Sequence, residues 1–285
     1  MRIALTGSTG FIGRHVVKSL MDRGHQVVEI LRPGRREAAR TRTFVEFELE
    51  SPPRDAFECL GSPEVLVHLA WAGVREYDSP HHVESELPRH AEFLRALAGQ
   101  GLPRIVVAGT CFEYGLREGQ IREIHPVAPV TEYARAKTLL HERLLRMNSG
   151  ADIIWARLFY PYGPGQAPES LFGQFHRACE SGAGFFPMSP GDQLRDYLAI
   201  AEMADYIAEI SAANRAGHMV ANVGSGRPIT VRNLVERWAA EYGVDIELRA
   251  GVYAYPEHEP RNAWANTEVL KSFLGQHQRD EESES

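Results

Sequence analysis

The chain has 285 residues, of which 44% are hydrophobic and 24% are charged, a balance typical of globular proteins. Its 31 basic and 38 acidic side chains give a net charge of −7, which argues against nucleic acid or an anionic membrane as the main partner. The three cysteines are far apart, which predicts a reducing compartment and neither a disulfide framework nor a metal site. Because no apolar run approaches the roughly 18 residues of a membrane span and the chain enters a strand at once, we expect a cytoplasmic protein without a signal peptide.

A glycine-rich turn near the start of the chain organises the rest of the sequence. An apolar run at residues 3–5 predicts a buried strand, and residues 14–23 have apolar side chains at helical spacing. Glycines between a strand and a helix let the backbone and the helix N-terminus approach a pyrophosphate. We therefore predict a dinucleotide site, with cofactor contacts from Gly7, Thr9, Gly10, Phe11, Ile12 and Gly13.

The end of the second strand, predicted at residues 26–31, indicates which dinucleotide binds. An acidic side chain about 20 residues past the glycines holds the ribose of NAD. Here that position is Arg32, and Arg35 and Arg36 follow it. Guanidinium groups suit a 2′-phosphate, so we predict NADP(H) rather than NAD(H); a solvated basic loop is the alternative.

Strands and helices alternate through the first half of the chain, which predicts parallel strands joined by right-handed crossovers. A third strand at residues 43–47 would place Glu48 and Leu49 near the adenine. His68 lies within the next strand and is expected to pack in the core. Residues 71–82 follow that strand at its carboxyl end, where open α/β sheets bind ligands, so they form either a substrate lip or an ordinary loop. The other elements predicted here are strands at 65–70, 104–108 and 152–159 and a helix at 84–97.

A tyrosine and a lysine stand four residues apart at the start of another predicted helix. Because of this spacing, Tyr133 and Lys137 share one helix face. The chain has only three lysines among its 31 basic residues, so an ammonium at this position indicates a specific need for a compact charge.

The first 160 residues follow the pattern of a Rossmann-like, doubly wound parallel sheet, and the alternation loosens after them. We therefore predict the α/β class, with a dinucleotide-binding domain at residues 1–160. A small α/β substrate lobe, interleaved with the core, is predicted at 161–275, and the acidic segment 276–285 is predicted to be disordered. The elements expected after residue 160 are helices at 169–181, 201–213, 230–242 and 266–274 and strands at 195–198, 219–223 and 244–248.

Six motifs lie in order along the chain: Thr6-Gly7-x-x-Gly10-x-x-Gly13, His68-Leu69-Ala70, Thr110-x-x-x-Tyr114-Gly115, Tyr133-x-x-x-Lys137, Tyr162-Gly163-Pro164-Gly165 and Arg195-Asp196-Tyr197. Together they resemble the extended short-chain dehydrogenase/reductase family, in its nucleotide-sugar epimerase, dehydratase and 4-ketoreductase branch. The segment at residues 109–115 looks most like the NADP-dependent reductases of nucleoside-diphosphate-4-keto-6-deoxyhexoses.

The resemblance implies roles for individual residues and a homodimer. Tyr133 would be the general acid and Thr110 would hydrogen-bond the carbonyl oxygen. Lys137 would favour the phenolate and bind the ribose of the nicotinamide. Arg195 and Arg261 resemble the positions that clamp the diphosphate of a nucleotide sugar. Further contacts are implied with the cofactor for Leu69, Ala70, Trp71, Tyr133, Lys137 and Tyr160, and with the substrate for Thr110, Cys111, Phe112, Arg195 and Arg261.

The positions at which this sequence differs from the family motifs indicate which branch of the family it resembles. The 4,6-dehydratases place an Asp-Glu acid/base pair directly after the threonine, whereas here Cys111 and Phe112 follow it and Glu113 is displaced by one position. The asparagine that assists proton relay on the helix at 84–97 is also missing. We therefore predict NADPH-dependent reduction of the 4-keto group of a nucleoside-diphosphate-4-keto-6-deoxyhexose. The open alternatives are a nucleotide-sugar C4 epimerase with tightly bound NAD and a non-catalytic NADP-binding relative.

Overall fold

The computed structural model describes residues 1–147 and 149–274. Its strands are β1 (Arg2–Thr6), β2 (Gln26–Leu31), β3 (Phe44–Glu46), β4 (Val65–His68), β5 (Arg104–Thr110), β6 (Gly119–Ile121), β7 (Asp152–Leu158), β8 (Pro161–Tyr162), β9 (Phe185–Pro187), β10 (Leu194–Arg195), β11 (Leu198–Ala199), β12 (His218–Val223), β13 (Ile229–Thr230), β14 (Glu247–Arg249) and β15 (Asn262–Ala265). Its α-helices are α1 (Phe11–Asp22), α2 (Ala56–Cys59), α3 (Leu87–Gly99), α4 (Glu132–Leu145), α5 (Leu171–Glu180), α6 (Ile200–Ala212) and α7 (Val231–Tyr242), and residues 268–274 are also helical. Short 3₁₀ helices span Arg36–Ala38 and Cys111–Tyr114, and a π-helix spans His82–Glu86.

Seven parallel strands form the central sheet, in the order β12-β7-β5-β4-β1-β2-β3. The middle strands β1, β4 and β5 are buried on both faces, which explains their nearly continuous apolar sequences. The strand order reverses between β1 and β4, so the predicted Rossmann-like, doubly wound fold is confirmed. Ligands of such sheets bind beyond the carboxyl ends of the strands at this reversal.

Helices cover both faces of the sheet. On one face α1 and α6 bury apolar side chains such as Leu20 and Ile207, and on the other α3 and α4 bury Phe93 and Leu140. Because α6 and β12 come late in the chain, residues beyond 160 contribute to this core. The division into two units at residue 160 stays a prediction.

The remaining strands form three small sheets, in the orders β13-β10-β15-β6, β11-β8 and β14-β9. Phe172 and Phe175 from α5 pack with Trp238 from α7 in an apolar cluster separate from the main core. The acidic segment predicted at 276–285 lies outside the described residues. Within the described ranges, no helix combines the length and the apolar character needed to cross a membrane.

Two predicted elements differ in the structure. The helix predicted at 84–97 starts with a π-helical turn before α3, because Pro88 has no N–H and its ring displaces the carbonyl group four residues earlier. The single strand predicted at 195–198 is split between β10 and β11, which belong to different sheets. Asp196 lies at the split, where its carboxylate accepts a hydrogen bond from the Ser225 amide instead of facing solvent.

Candidate active site

The glycine-rich turn places the start of α1 against the end of β4. Gly7 has a φ of +76°, and a Cβ atom on it would lie 2.7 Å from the amide nitrogen of Ala70. A Cβ atom on Gly13 would lie 2.0 Å from the carbonyl oxygen of Gly7. Gly10 precedes α1 without a side-chain cap. Only glycine permits these approaches, and they leave the helix N-terminus uncovered by side chains of the turn.

This turn fits the pyrophosphate of a dinucleotide. The first N–H groups of an α-helix have no partner within the helix, and Phe11 and Ile12 supply two of them here. The hydroxyl of Ser8 is buried and has no hydrogen-bond partner among the described residues. Thr9 and Gly10 complete the same turn. Backbone N–H groups and a free hydroxyl at a helix N-terminus suit a phosphate oxygen.

The arginines predicted to select the 2′-phosphate follow β2 in an exposed segment. Arg36 donates to the Glu46 carboxylate at 3.1 Å, whereas the side chains of Arg32 and Arg35 form no ion pair with any described residue. Glu29, the acidic residue within β2, is buried and accepts hydrogen bonds from backbone N–H groups, so it is not available to a ribose. Two guanidinium groups are therefore open to solvent beyond β2.

The two residues predicted to contact adenine, Glu48 and Leu49, follow β3 and differ in exposure. Glu48 is exposed, and Leu49 packs partly buried against the apolar core under this face of the sheet. Leu69, predicted to touch the cofactor from β4, packs against the opposite core. These positions surround the carboxyl ends of β1 to β4, where the dinucleotide is expected.

The structure brings Thr110, Tyr133 and Lys137 together at the end of β5. The hydroxyl of Thr131 caps α4 by accepting from the Ala134 amide, which sets the first turn of the helix. Tyr133 is 8% exposed, and the side chain of Thr110 acts to lower the pKa of its phenol. Lys137, one turn later, is 2% exposed, and its Nζ donates to the carbonyl oxygen of β5 residue 108 at 2.9 Å.

Burial decides the protonation of this pair. Burial raises the pKa of Tyr133 strongly, and the influence of Thr110 opposes this only in part. Burial also lowers the pKa of Lys137 to about 7, against the attraction of the Glu113 carboxylate. The Nζ of Lys137 lies 5.9 Å from the centroid of the Tyr133 ring. Without a bound cofactor, the phenol therefore keeps its proton at neutral pH, as a general acid requires.

The loop after Thr110 is held by a buried carboxylate. The Thr110 amide donates to Glu113 at 2.8 Å, and its hydroxyl accepts from the Phe112 amide at 3.3 Å, forming a capping box. Glu113 also accepts from Arg157 at 2.8 Å and from Trp155 at 2.9 Å. Because Glu113 is fully buried and paired, it is not free to act as an acid or base on a substrate.

A small cavity lies beside this loop. Cys111, Phe112 and Tyr160 line it, and the Phe112 and Tyr160 rings are 6.0 Å apart. Burial raises the pKa of the Cys111 thiol, so the thiol stays protonated. These three residues, predicted to contact ligands, are thus brought together.

The two arginines predicted to clamp a diphosphate differ in burial and in their ion-pair partners. Arg195 is 2% exposed, donates to Glu259 at 3.1 Å and has its guanidinium carbon 5.5 Å from the centroid of the Tyr160 ring. Arg261 is exposed and donates to Asp192 at 3.3 Å. Only the backbone carbonyl of Arg261 meets Arg195, so the structure does not place both guanidinium groups on one partner.

Sequence reasoning named Trp71 as a cofactor contact and residues 71–82 as a substrate lip or a loop, but it assigned no role to Tyr77, His82 or His258. The rings of Trp71, Tyr77 and His82 surround Tyr133, with centroids 6.2, 6.1 and 5.3 Å from it. His258 lies 5.0 Å from Tyr77 by the same measure. The aromatic character of the loop at 71–82 was the available signal, but nothing local to residue 258 indicates a contact with that loop.

The model of the NAD dependent epimerase/dehydratase family matches residues 3–224. The chain therefore belongs to this family, within the extended short-chain dehydrogenases/reductases that the six motifs resemble.

Relatives and solved structures match nearly the whole chain. The dTDP-6-deoxy-L-talose 4-dehydrogenase (NAD(+)) of Aggregatibacter actinomycetemcomitans is 28% identical, over 93% of this chain and 99% of that protein. The dTDP-6-deoxy-L-talose 4-dehydrogenase (NAD(P)(+)) of Kitasatospora kifunensis is 29% identical, over 94% and 87%. The structure of MoeE5 in complex with UDP-glucuronic acid and NAD has a TM-score of 0.74 and 25% identity, covering 96% of this chain and 93% of that one.

Proposed function

We propose that the protein uses NADPH to reduce the 4-keto group of a nucleoside-diphosphate-4-keto-6-deoxyhexose to a hydroxyl group. The observation that carries the proposal is the meeting of Thr110, Tyr133 and Lys137 at the end of β5. Two relatives named as 4-dehydrogenases of a deoxysugar nucleotide, similar over nearly the whole chain, support the sugar class.

The chain's own groups supply the proton and the orientation. When bound, NADPH supplies a hydride to C4 of the sugar. Tyr133 gives its phenolic proton to the carbonyl oxygen, and Thr110 donates a hydrogen bond to the same oxygen as negative charge develops there. One N–H of Lys137 is used by the backbone of β5, which leaves two donors for the ribose hydroxyls of the cofactor.

The preference for NADPH rests on the segment after β2. Arg32 and Arg35 are exposed and unpaired among the described residues, so either can form charge-assisted hydrogen bonds with a 2′-phosphate. Arg36 is occupied by Glu46. Glu29, the acidic residue within β2, is buried, and its Oε1 accepts from the amides of Arg40 and Thr41, so it is not open to a 2′-hydroxyl.

We further propose that the diphosphate of the substrate replaces Glu259 on Arg195. A buried guanidinium needs an anionic partner, and Glu259 is a carboxylate on a loop at the mouth of the site. Exchange of one anion for another keeps Arg195 paired in both states. Arg261 contributes its backbone here and not its side chain.

The paired state of Glu113 argues against a dehydratase. Water elimination needs a free general acid and base, and the carboxylate nearest to the family position is buried against Arg157. A C4 epimerase would retain NAD through each turnover, and the open arginines Arg32 and Arg35 favour a phosphorylated cofactor instead.

Purified protein incubated with NADPH and a panel of nucleoside-diphosphate-4-keto-6-deoxyhexoses tests the proposal. We expect loss of NADPH absorbance in step with formation of the 4-hydroxy sugar. Isomerised sugar without net consumption of NADPH would identify the epimerase, and binding without product would identify the non-catalytic relative. A cytoplasmic location and a homodimer stay predictions, and sedimentation of the purified protein tests the second.

A further inference from the structure

The ammonium of Lys137 is buried without an ion-pair partner among the described residues. It donates a hydrogen bond to the carbonyl oxygen of Ala108 at 2.9 Å. The carboxylates that attract it, Glu113 and Glu86, are each paired with an arginine. A desolvated charge of this kind needs another source of stabilisation if it is to remain charged.

The face of Trp71 meets this charge. The Nζ atom of Lys137 lies 4.0 Å from the centroid of the indole ring. A cation over the face of tryptophan is attracted by the ring quadrupole, most strongly where water is excluded. Trp71 is the third residue after His68, at the end of β4, so the strand itself delivers the indole to this position.

Two histidines hold the indole in place. The ring of His90 stacks on Trp71 with centroids 4.6 Å apart and planes 12° apart. The indole N–H donates to Nδ1 of His82 at 3.0 Å, and Nε2 of His82 then donates to the carbonyl oxygen of Glu76 at 3.0 Å. The side-chain nitrogens of Trp71 and His82 are therefore all hydrogen-bonded within the fold.

A buried chain of hydrogen bonds fixes His90 in turn. The carboxylate of Glu86 can only accept, so Nε2 of His90 donates to it at 3.1 Å, and Nδ1 of His90 accepts from Nε2 of His68 at 2.8 Å. Nδ1 of His68 then accepts from the Thr6 hydroxyl at 2.9 Å, which accepts from the Ala70 amide at 3.3 Å. Burial lowers the pKa of both histidines, so both rings are neutral at neutral pH.

We propose that Trp71 is a positioning residue for Lys137: its indole face, fixed by His82 and His90, holds the ammonium in place and keeps it charged. The catalytic consequence rests on the proposed function, because it is there that Lys137 must present charged donors to the cofactor. The geometric claim stands apart from any reaction. It also gives a role to the histidine pair His68–His90, which the proposed chemistry does not use.

Titratable groups face this ammonium from every element packed around it: Glu113, Glu86, His90, His68 and Tyr133. Burial alone would raise the pKa of Glu86, but hydrogen bonds from His90 and the Ala72 amide, with the charge of Arg89, lower it to about 2. Glu86 therefore stays ionised, and the two histidines stay neutral. Lys137, with a pKa of about 7, is the group of this set that changes charge near neutral pH.

The test varies the electron density on the face of the Trp71 indole while leaving the ring shape nearly unchanged. Fluorinated tryptophans with one, two or three fluorine atoms, placed at position 71 alone, withdraw electrons from the ring and weaken its attraction for a cation. The chain contains only three lysines, so labelling lysine with carbon-13 at Cε gives three signals, and their NMR titration reports each pKa. The signal missing in Lys137→Met assigns Lys137. The matched control places the same analogues at Trp238, in the separate apolar cluster.

We expect the pKa of Lys137 to fall stepwise along the series at position 71, by about 1 in total, and to stay constant in the control series. A pKa that is constant or rises at position 71 overturns the inference. If the proposed function also holds, the pH at which the NADPH-dependent rate declines moves to lower values by the same amount. A stepwise fall in a protein that reduces none of the sugars would sustain the positioning role and contradict the proposed function alone.

Discussion

The two sides of the cleft are built in different ways. The cofactor side, made of the glycine-rich turn, β4, β5 and α4, has long central strands, and buried hydrogen bonds hold His68 and Lys137 in place. The substrate side, made of β10, β15 and residues 258–261, rests on strands of two to four residues and on the ion pair of Arg195 with Glu259. The first is arranged before any ligand arrives, whereas in the second the proposed diphosphate would replace Glu259 on Arg195.

This difference separates the two tasks of the site. Hydride and proton transfer require donors held at fixed positions, because their effect depends on alignment in the transition state. Recognition of a diphosphate requires a buried positive charge that remains stable when no substrate is present. A carboxylate from the same chain meets that need in the free protein.

Tyr133→Phe removes the phenolic hydroxyl that is proposed to donate the proton on the cofactor side. We expect turnover to fall roughly 10²-fold or more, the range for loss of a general acid, because the ring remains but the proton does not. Affinity for NADPH should change little. Steady-state kinetics and cofactor titration measure the two quantities, and unchanged turnover would remove Tyr133 from the mechanism.

Glu113→Gln tests whether the loop beneath Thr110 is held by charge. The amide keeps the shape but leaves Arg157 buried without its anion, so we expect a loss of roughly 3–5 kcal/mol in the free energy of unfolding. Urea unfolding measures it. The control Glu92→Gln, in an exposed pair with Arg95, should cost no more than about 1 kcal/mol. Equal stability of the two variants would contradict a structural role for Glu113.

Arg32→Ser and Arg35→Ser test whether the cofactor side includes recognition of a 2′-phosphate. A hydrogen bond to a charged group contributes roughly 1.5–3 kcal/mol, so each change should raise the KM for NADPH by roughly tenfold or more if that arginine holds the 2′-phosphate. The KM for NADH should stay constant. Arg36→Ser is the control, since Glu46 already occupies that guanidinium. Equal losses with both cofactors would rule out 2′-phosphate recognition.

Glu259→Gln tests the exchange on the substrate side. A weaker partner for Arg195 in the free protein favours the bound state, so the KM for the nucleotide sugar should fall by roughly fivefold, equivalent to about 1 kcal/mol. Turnover should be unchanged. Asp192→Asn, which weakens the exposed pair with Arg261, should leave the KM unaltered. A rise in KM for Glu259→Gln would show that Glu259 assists binding instead of competing with it.

Local sequence patterns predict the features of this molecule that are set by the spacing of residues along the chain. Apolar runs and alternation predict the sheet, glycine spacing predicts the turn, and the four-residue interval places Tyr133 and Lys137 on one face. These signals succeed because neighbours in the chain determine them. Pro88 was the local signal that the helix at 84–97 could not start regularly.

Contacts between distant side chains leave no such pattern. Glu259 and Arg195 are 64 residues apart, and Thr6 and His68 are 62 apart, so no periodicity connects them. The clamp expected from Arg195 and Arg261 stays a prediction; in the structure the Arg261 side chain pairs with Asp192 at the surface instead of facing Arg195. Tertiary arrangement decided each of these contacts.

Transfer of deuterium tests the central claim most directly. The protein is incubated with a nucleoside-diphosphate-4-keto-6-deoxyhexose and NADPH carrying deuterium at the reactive carbon of the nicotinamide, and the product sugar is analysed by NMR. Reduction beside Thr110, Tyr133 and Lys137 predicts one deuterium at C4 of the sugar, from only one of the two labelled faces of the nicotinamide. Sugar product without deuterium at C4, or label delivered from both faces, would contradict it.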